Sequence, residues 1–234
     1  MSLADYRTLV DKMVRAPGGV ETIAATDRDA AIEAARLRYS QDCERELLVD
    51  VAWAEAGYFG PLPAGWTDVS YIRQAEYPVG EQPAALIPLE VYLTPTQRLL
   101  VVEDALPAGA VVRVTFAAEH LLTDGPPPAT DTIPAVHREA LSSYAASLLC
   151  GQLAALYSGE RETPTNSDHS NTESRARNFS ARAKEYRAAY YAGIGKADPR
   201  SEARSAAAAA GEPAASAGAW SGRTRNSLTR GSLL

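Results

Sequence analysis

The first forty residues place apolar side chains at the three- and four-residue spacing of helices buried on one face. In the first segment these positions are Leu3, Tyr6, Leu9, Val10, Met13 and Val14. A serine precedes the segment and a Pro-Gly-Gly sequence follows it, so a helix is predicted over about 3–15. Behind Thr26 and Asp27, two residues that often cap helices, the spacing returns at Ala31, Ala34, Ala35 and Leu37. It predicts a second helix over about 27–41.

The period then changes from that of a helix to that of a strand. Leu47, Val49, Val51 and Trp53 occupy alternate positions, which is typical of a strand with one buried face. Four more apolar runs follow, separated by turn sequences rich in Gly and Pro, at about 69–77, 86–93, 98–103 and 110–117. About five short strands at this spacing predict a β insertion over about 45–120, folded as a small antiparallel sheet, sandwich or barrel.

Helical spacing returns after the β insertion. A helix over about 134–158 begins with Pro134 in its first turn, and its apolar face includes Val136, Leu141, Leu148, Leu149 and Leu156. After a polar loop, another helix is predicted over about 172–192. The expected fold class is therefore α+β: a helical bundle of two N-terminal and two C-terminal helices, with an inserted small antiparallel β-sheet or sandwich.

The end of the chain has a different composition from the predicted domain over 1–195. Residues 196–234 contain five consecutive alanines and many Gly, Pro and Ser residues, so they have little apolar surface to offset the entropy of ordering. An extended C-terminal arm is predicted that orders on a partner. Its aromatic, basic and terminal apolar residues are the expected docking residues: Trp220, Arg223, Arg225, Arg230, Leu233 and Leu234. A solubilising tail and a contact with nucleic acid are the alternatives.

Charge is distributed unevenly along the chain. The net charge is −6, which opposes binding to nucleic acid or to an anionic membrane. Residues 197–234 carry five arginines against three acids, so the rest of the chain carries −8. No run approaches the ~20 apolar residues of a membrane span, and the N-terminus lacks the pattern of a secretion signal. With only Cys43 and Cys150, the sequence predicts a soluble protein made in a reducing cytoplasm.

Sequence patterns that carry chemistry do not occur here. There is no phosphate-binding loop, no nucleophile elbow and no metal-ligand spacing among the histidines. We therefore predict no catalytic, cofactor-binding or metal-binding residues. His120 is expected to be a surface or loop histidine, and His137 to be solvated on its helix. The alternative hypothesis is an enzyme or small-molecule binder that uses a cleft of the β insertion near His120, with His120, Glu119 or Arg113 in the cleft, because these polar residues cluster at a strand end.

The last predicted helix carries an aromatic stripe. Phe179, Tyr186 and Tyr190 share one helical face and are expected to lie mostly in the core. Tyr190 and Tyr191 are adjacent, so we expect that they cannot both face inward. Because tyrosine is enriched at interfaces, Tyr186, Tyr190 and Tyr191 are predicted as candidates for a subunit interface.

Several segments of the chain resemble head–tail connector (adaptor) proteins of tailed bacteriophages. They include Ala-Ile-Glu-Ala-Ala-Arg-Leu-Arg-Tyr-Ser from Ala31, the strand from Leu47 to Trp53, and Ala-Glu-Tyr-Pro-Val-Gly from Ala75. The resemblance continues with Trp66 and Ser70, Val112 to Phe116, Glu119 to Leu121, and the closing helix pair over 134–157 and 176–190. It covers about residues 1–195.

This resemblance implies a structural virion protein of the neck. Such adaptors form rings, usually of twelve subunits, below the portal protein, and they extend the DNA channel. They provide the attachment platform for the next neck, stopper or tail-terminator protein, and their C-terminal segments dock on the portal. Genomic DNA would pass through the lumen without sequence-specific binding, which suits an acidic wall. The resemblance implies no enzymatic activity, cofactor or membrane partner, and assembly from subunits made in the host cytoplasm.

Overall fold

The computed structural model describes residues 2–15, 23–124, 130–159 and 169–201, with the side chains of 169–174 excepted. The helices are α1 (Leu3–Val14), α2 (Ala25–Asp42), α3 (Arg138–Gly159) and α4 (His169–Gly193), and a 3-10 turn (Ala135–His137) precedes α3. The six strands are β1 (Arg45–Ala52), β2 (Gly57–Gly60), β3 (Tyr71–Glu76), β4 (Leu89–Leu93), β5 (Arg98–Leu106) and β6 (Val111–Ala118). The predicted α+β class, with two helices before and two after the β insertion, is confirmed.

The N-termini of the first two helices are capped differently. Ser2 caps α1: its hydroxyl accepts from the amide of Asp5, whose carboxylate accepts from the amide of Ser2 at 2.8 Å. Helix α2 begins two residues before its predicted start. The carbonyl of Ala24 already accepts from the amides of Asp27 and Arg28, and no side chain caps this end. Both residues predicted as caps therefore lie inside the helix.

Helix α3 lies at the centre of the helical layer. Its buried face includes Leu141, Ala145 and Leu149, which pack with the buried residues Tyr6, Val10 and Val14 of α1, Ile32, Ala35 and Tyr39 of α2, and Phe179, Tyr190 and Tyr191 of α4. Gly193 allows the close approach of α4, because a Cβ there would lie 2.8 Å from the Cβ of Ala140. Val136 and Leu156, expected on the apolar face, are exposed. For Val136 the reason is its position in the 3-10 turn, outside the α-helical period.

One apolar helix has the length of a membrane span. Residues 135–159 pass that test by length and composition, and they alone do so among the described helices. Half of the 18-residue segment that meets the test is buried inside the protein, where it packs with the other three helices. The core helix of a globular domain passes the same test, so the stretch is weak evidence for a membrane.

The strands form two antiparallel three-stranded sheets. The first sheet has the order β1-β6-β3 and the second the order β2-β5-β4. Their apolar faces share one buried cluster, which includes Trp53, Leu100, Val102, Val112, Val114 and Phe116. Sequence patterning predicted about five strands and missed β2, because its two glycines suggested a loop. Gly60 is required there, since a Cβ at this position would overlap the ring of Trp53.

Candidate functional site

A buried polar cluster joins the helical layer to the first sheet where the chain leaves β6. Arg36 on α2 is 9% exposed. Its guanidinium donates to Glu33 at 2.6 and 2.9 Å, to Glu119 at 3.0 Å and to the carbonyl of His120. The arginine holds the pKa of Glu33 below its usual value, mainly through the hydrogen bond. A buried guanidinium bonded on several sides fixes the orientation of both elements.

His120 is buried, so the predicted surface position is wrong. Its amide donates to the hydroxyl of Ser40 at 3.0 Å, and its Nε2 lies 3.0 Å from the carbonyl of Cys43. Its Nδ1 lies 3.1 Å from the carbonyl and 3.2 Å from the hydroxyl of Thr132. Burial lowers the pKa of His120. In the neutral ring that burial favours, Nε2–H donates to the Cys43 carbonyl and Nδ1 accepts from the Thr132 hydroxyl. The other tautomer, with Nδ1–H donating to the Thr132 carbonyl, would leave Nε2 facing the Cys43 carbonyl without a proton.

Tyr39 brings a second histidine to the same junction. The Tyr39 ring lies 4.9 Å from that of His120 between centroids, and its hydroxyl is 2.7 Å from Nδ1 of His137. His137 is thus half-buried and bonded, which corrects its predicted solvated position. The two bonded residues are 98 positions apart, so no local pattern could have revealed the contact.

The three polar residues of the enzyme hypothesis do not share one cleft. Arg113 lies on the outer face of the first sheet, where it donates to Asp50 at 2.8 Å and approaches Glu76 at 3.7 Å. Glu119 is six residues further along the chain, about 20 Å away at the rise of a strand. His120 is enclosed by protein. Among the described residues, no group of three or more acidic, histidine or cysteine side chains could hold a metal ion.

A shallow groove lies between α2 and the edge of the first sheet. Its volume is about 220 Å³, and it is lined by residues that include Leu37, Gln41, Glu44, Val69, Tyr71 and Glu119. That volume is below the ~300–1,000 Å³ of typical small-molecule sites. Glu44 is paired with Arg73, and Glu119 with Arg36. The groove is therefore only large enough to hold a single side chain. Neither Glu44 nor Glu119 is free to bind a charged ligand.

The outer faces of the two sheets differ in chemistry. On the first sheet, Asp50, Arg113 and Glu76 form a charged row across all three strands. On the second sheet, the outer face carries Phe59 (51% exposed) and Tyr92 (50% exposed), whose ring centroids are 5.4 Å apart, beside the partly buried Leu99 and Val101. We call these four residues the aromatic face.

The aromatic face is the site that departs most from expectation. An exposed face of an antiparallel sheet is normally polar, and contiguous apolar patches mark surfaces that bind other macromolecules. Cross-strand pairing brings the four residues together, with Phe59 opposite Val101 and Leu99 opposite Tyr92. The continuous run Leu99-Leu100-Val101-Val102 could have indicated it, because such a run is typical of a strand covered on both sides.

The tyrosines predicted at a subunit interface make contacts inside the chain. Tyr190 and Tyr191 are both buried, so the expectation that only one faces inward is wrong. The reason is that α4 is covered on two sides here: Tyr190 lies 4.7 Å from the ring of Tyr144, and the guanidinium of Arg38 lies over Tyr191. The half-buried Tyr186 donates to the carbonyl of Met13 at 2.6 Å. Their role between subunits stays a prediction.

The first residues of the predicted arm lie against the helices. Lys196 donates to the carbonyl of Asp42, and Asp198 accepts from Arg187 twice at 2.8 Å. This pairing lowers the pKa of Asp198. The predicted docking residues all lie outside the described residues: Trp220, Arg223, Arg225, Arg230, Leu233 and Leu234. The arm and the domain boundary at 195 stay predictions.

Comparisons with solved structures give matches that include two chains from particle necks. One is a chain from the "Neck of empty GTA particle computed with C6 symmetry", at 12% identity and a TM-score of 0.28, covering 76% of this chain and 88% of that one. The other is from the "Neck of native GTA particle computed with C12 symmetry", at 15% identity and a TM-score of 0.26, covering 71% and 92%. At TM-scores this low the likeness supports no conclusion about this chain. No family model and no curated protein matches it.

Proposed function

We propose that the protein is a structural subunit of a phage-type neck: a head–tail adaptor that forms a ring below the portal protein. In this role it extends the DNA channel and provides the platform for the next neck, stopper or tail-terminator protein. The observation that carries the proposal is the aromatic face, a surface suited to association on a domain whose cores are already filled. The kind of assembly comes from the resemblance of residues 1–195 to adaptors.

The buried polar groups favour a structural role over catalysis. Arg36, Glu119 and His120 are engaged in bonds that hold the helices to the first sheet. The enzyme hypothesis drew on a cluster of His120, Glu119 and Arg113 at a strand end; Arg113 lies apart from the other two, and those two are held by Arg36. The strong acidity of residues 1–196, at −8, suits a channel wall along which DNA slides, because like charge prevents tight binding.

The C-terminal residues supply the proposed contact with the portal. From Ser201, the last described residue, 33 further residues extend, which could span up to ~110 Å if extended. They hold Trp220 with Arg223 and Arg225, the residue types that dominate binding hot spots. Ordering on the portal would then contribute a favourable enthalpy offset by an entropic cost.

The test compares portal binding by the full chain and two variants. One variant ends at Ser201, which keeps the Arg187–Asp198 pair, and the other is Trp220→Ala in the full chain. We expect both to keep the circular dichroism spectrum of the parent domain and to bind purified portal at least 10-fold more weakly. Arg200→Ala, an exposed change before the deleted segment, is the control. Unchanged affinity of the shortened chain would refute the docking role of the arm.

A further inference from the structure

We propose that the aromatic face binds the exposed side of α4 on a neighbouring copy of the same chain, and that this contact links subunits into the ring. The inference rests on the proposed function, since it names the surfaces that the ring would use. A second copy of the chain is the expected partner because the two surfaces are opposite in charge, and because exposed alanines on α4 let a sheet lie against the helix.

The aromatic face has an acidic surround. Glu90 lies in the same cross-strand row as Val101 and Phe59, and Glu103 follows Val101 on the same side of β5. Both carboxylates are exposed. The described strands of the second sheet carry one further acid, Asp104, and one base, Arg98. The surface is thus an apolar centre with a negative border, the anatomy of an interface core with a polar rim.

The exposed side of α4 has the opposite charge. Arg177, Ala181, Lys184, Ala188 and Ala192 are all exposed and follow one another at helical spacing. Three alanines let a sheet approach the helix backbone closely. Lys184 lies between them, where it can form an ion pair with Glu90 or Glu103 of the neighbouring copy. Two of the five bases over 175–193 are bonded inside the chain, Arg182 to α1 and Arg187 to Asp198. The exposed charges are therefore those of Arg175, Arg177 and Lys184, against Glu185. Such charge complementarity favours one register and raises the association rate.

One chain cannot bring its own two surfaces together. Helix α4 packs on α3, whereas β2, β4 and β5 pack chiefly on other strands around Trp53 and Leu100. The aromatic face lies on the outer side of the second sheet, and the sandwich core separates it from the first sheet. Two different surfaces on one subunit make a heterologous contact, which generates a closed ring when the rotation between subunits closes.

The first part of the test uses two replacements on the aromatic face. Phe59→Ser/Tyr92→Ser is compared with Leu48→Ser, which removes an apolar side chain that is 62% exposed on the outer face of the first sheet. Native mass spectrometry measures the ring, with and without purified portal, and circular dichroism checks folding. We expect at least a 10-fold loss in the association constant for the double variant and less than a twofold change for Leu48→Ser.

The second part of the test exchanges charges, and it stays informative if the double serine variant does not fold. Glu90→Lys and Lys184→Glu alter exposed side chains, so both chains are expected to fold. Each change alone should weaken ring formation severalfold, because it places like charges on the two facing surfaces. Both changes in one chain should restore ring formation, since every contact in the ring then regains a pair of opposite charges.

The outcomes separate this inference from the proposed function. Folded variants of both parts that assemble like the parent chain would overturn the inference and leave the proposed function standing. A parent chain that forms no ring, alone or on the portal, would overturn both.

Discussion

Gly60 ends β2 against the ring of Trp53, and a methyl group has no room there. A Cβ at this position would lie 2.6 Å from Cε2 of Trp53 and closer still to Cζ2 and Cη2, and distances below 3.0 Å force a shift. Trp53 is fully buried. The ring therefore cannot turn aside without opening the core between the two sheets, and we expect Gly60→Ala to destabilise the sandwich.

The size of the effect follows from two opposing contributions. Overpacking a filled core costs about 1–3 kcal/mol. Replacing glycine by alanine where the backbone allows it stabilises by about 0.4–1 kcal/mol, because the unfolded chain loses freedom. Gly60 is outside the set of glycines with positive φ, so its backbone adds no strain. The expected net loss in the free energy of unfolding is about 1–2 kcal/mol.

Urea unfolding followed by circular dichroism measures this loss. The control is Gly151→Ala, an exposed position in α3 where a Cβ meets nothing within 4 Å, and here a gain of about 0.5–1 kcal/mol is expected. Trp53→Phe removes the ring atoms nearest the new methyl group, so the double variant should be more stable than the sum of the two single changes predicts. A Gly60→Ala chain as stable as the Gly151→Ala chain would refute the packing argument.

Three further predictions concern the helices and the junction. Gly193→Ala places a Cβ 2.8 Å from that of Ala140 and should lower the free energy of unfolding by about 1–3 kcal/mol. Adding Ala140→Gly to the same chain should recover part of that loss in urea titrations. Burial lowers the pKa of His120, so below about pH 6.5 the unfolded chain binds more protons than the folded chain. The free energy of unfolding should therefore fall as the pH decreases, by up to ~1.4 kcal/mol per pH unit. His120→Gln should flatten that slope in thermal melts. Asp131→Asn breaks a 3.0 Å ion pair with the first residue of α3 and should cost up to about 3 kcal/mol in urea unfolding, against about 0–1 kcal/mol for the exposed Asp68→Asn.

The sequence predicts the elements whose pattern is local. The spacing of Tyr6 and Val10 and the alternation from Leu47 to Trp53 identified α1 and β1, because each pattern reports one buried face. Strand β2 was missed since its glycines are typical of loops. The requirement for Gly60 comes from Trp53, and a contact between a strand residue and a ring seven positions earlier leaves no periodic signal.

The parts of the site that were missed depend on contacts between distant segments. His120 is enclosed by Cys43 and Thr132, which lie on different parts of the chain. Tyr190 and Tyr191 are both buried because α2 and α3 approach α4 from two sides. The aromatic face, in contrast, could have been predicted from the apolar run of β5, because a strand with apolar residues on both faces is typically covered on both sides.

The most direct test of the neck proposal is the mass of the full chain in solution, measured by native mass spectrometry alone and after mixing with the portal protein encoded in the same genome. The account predicts either a closed ring, expected to contain about twelve subunits from the adaptor resemblance, or a monomer that becomes a stoichiometric ring on the portal. A chain that stays monomeric and does not bind the portal would contradict it.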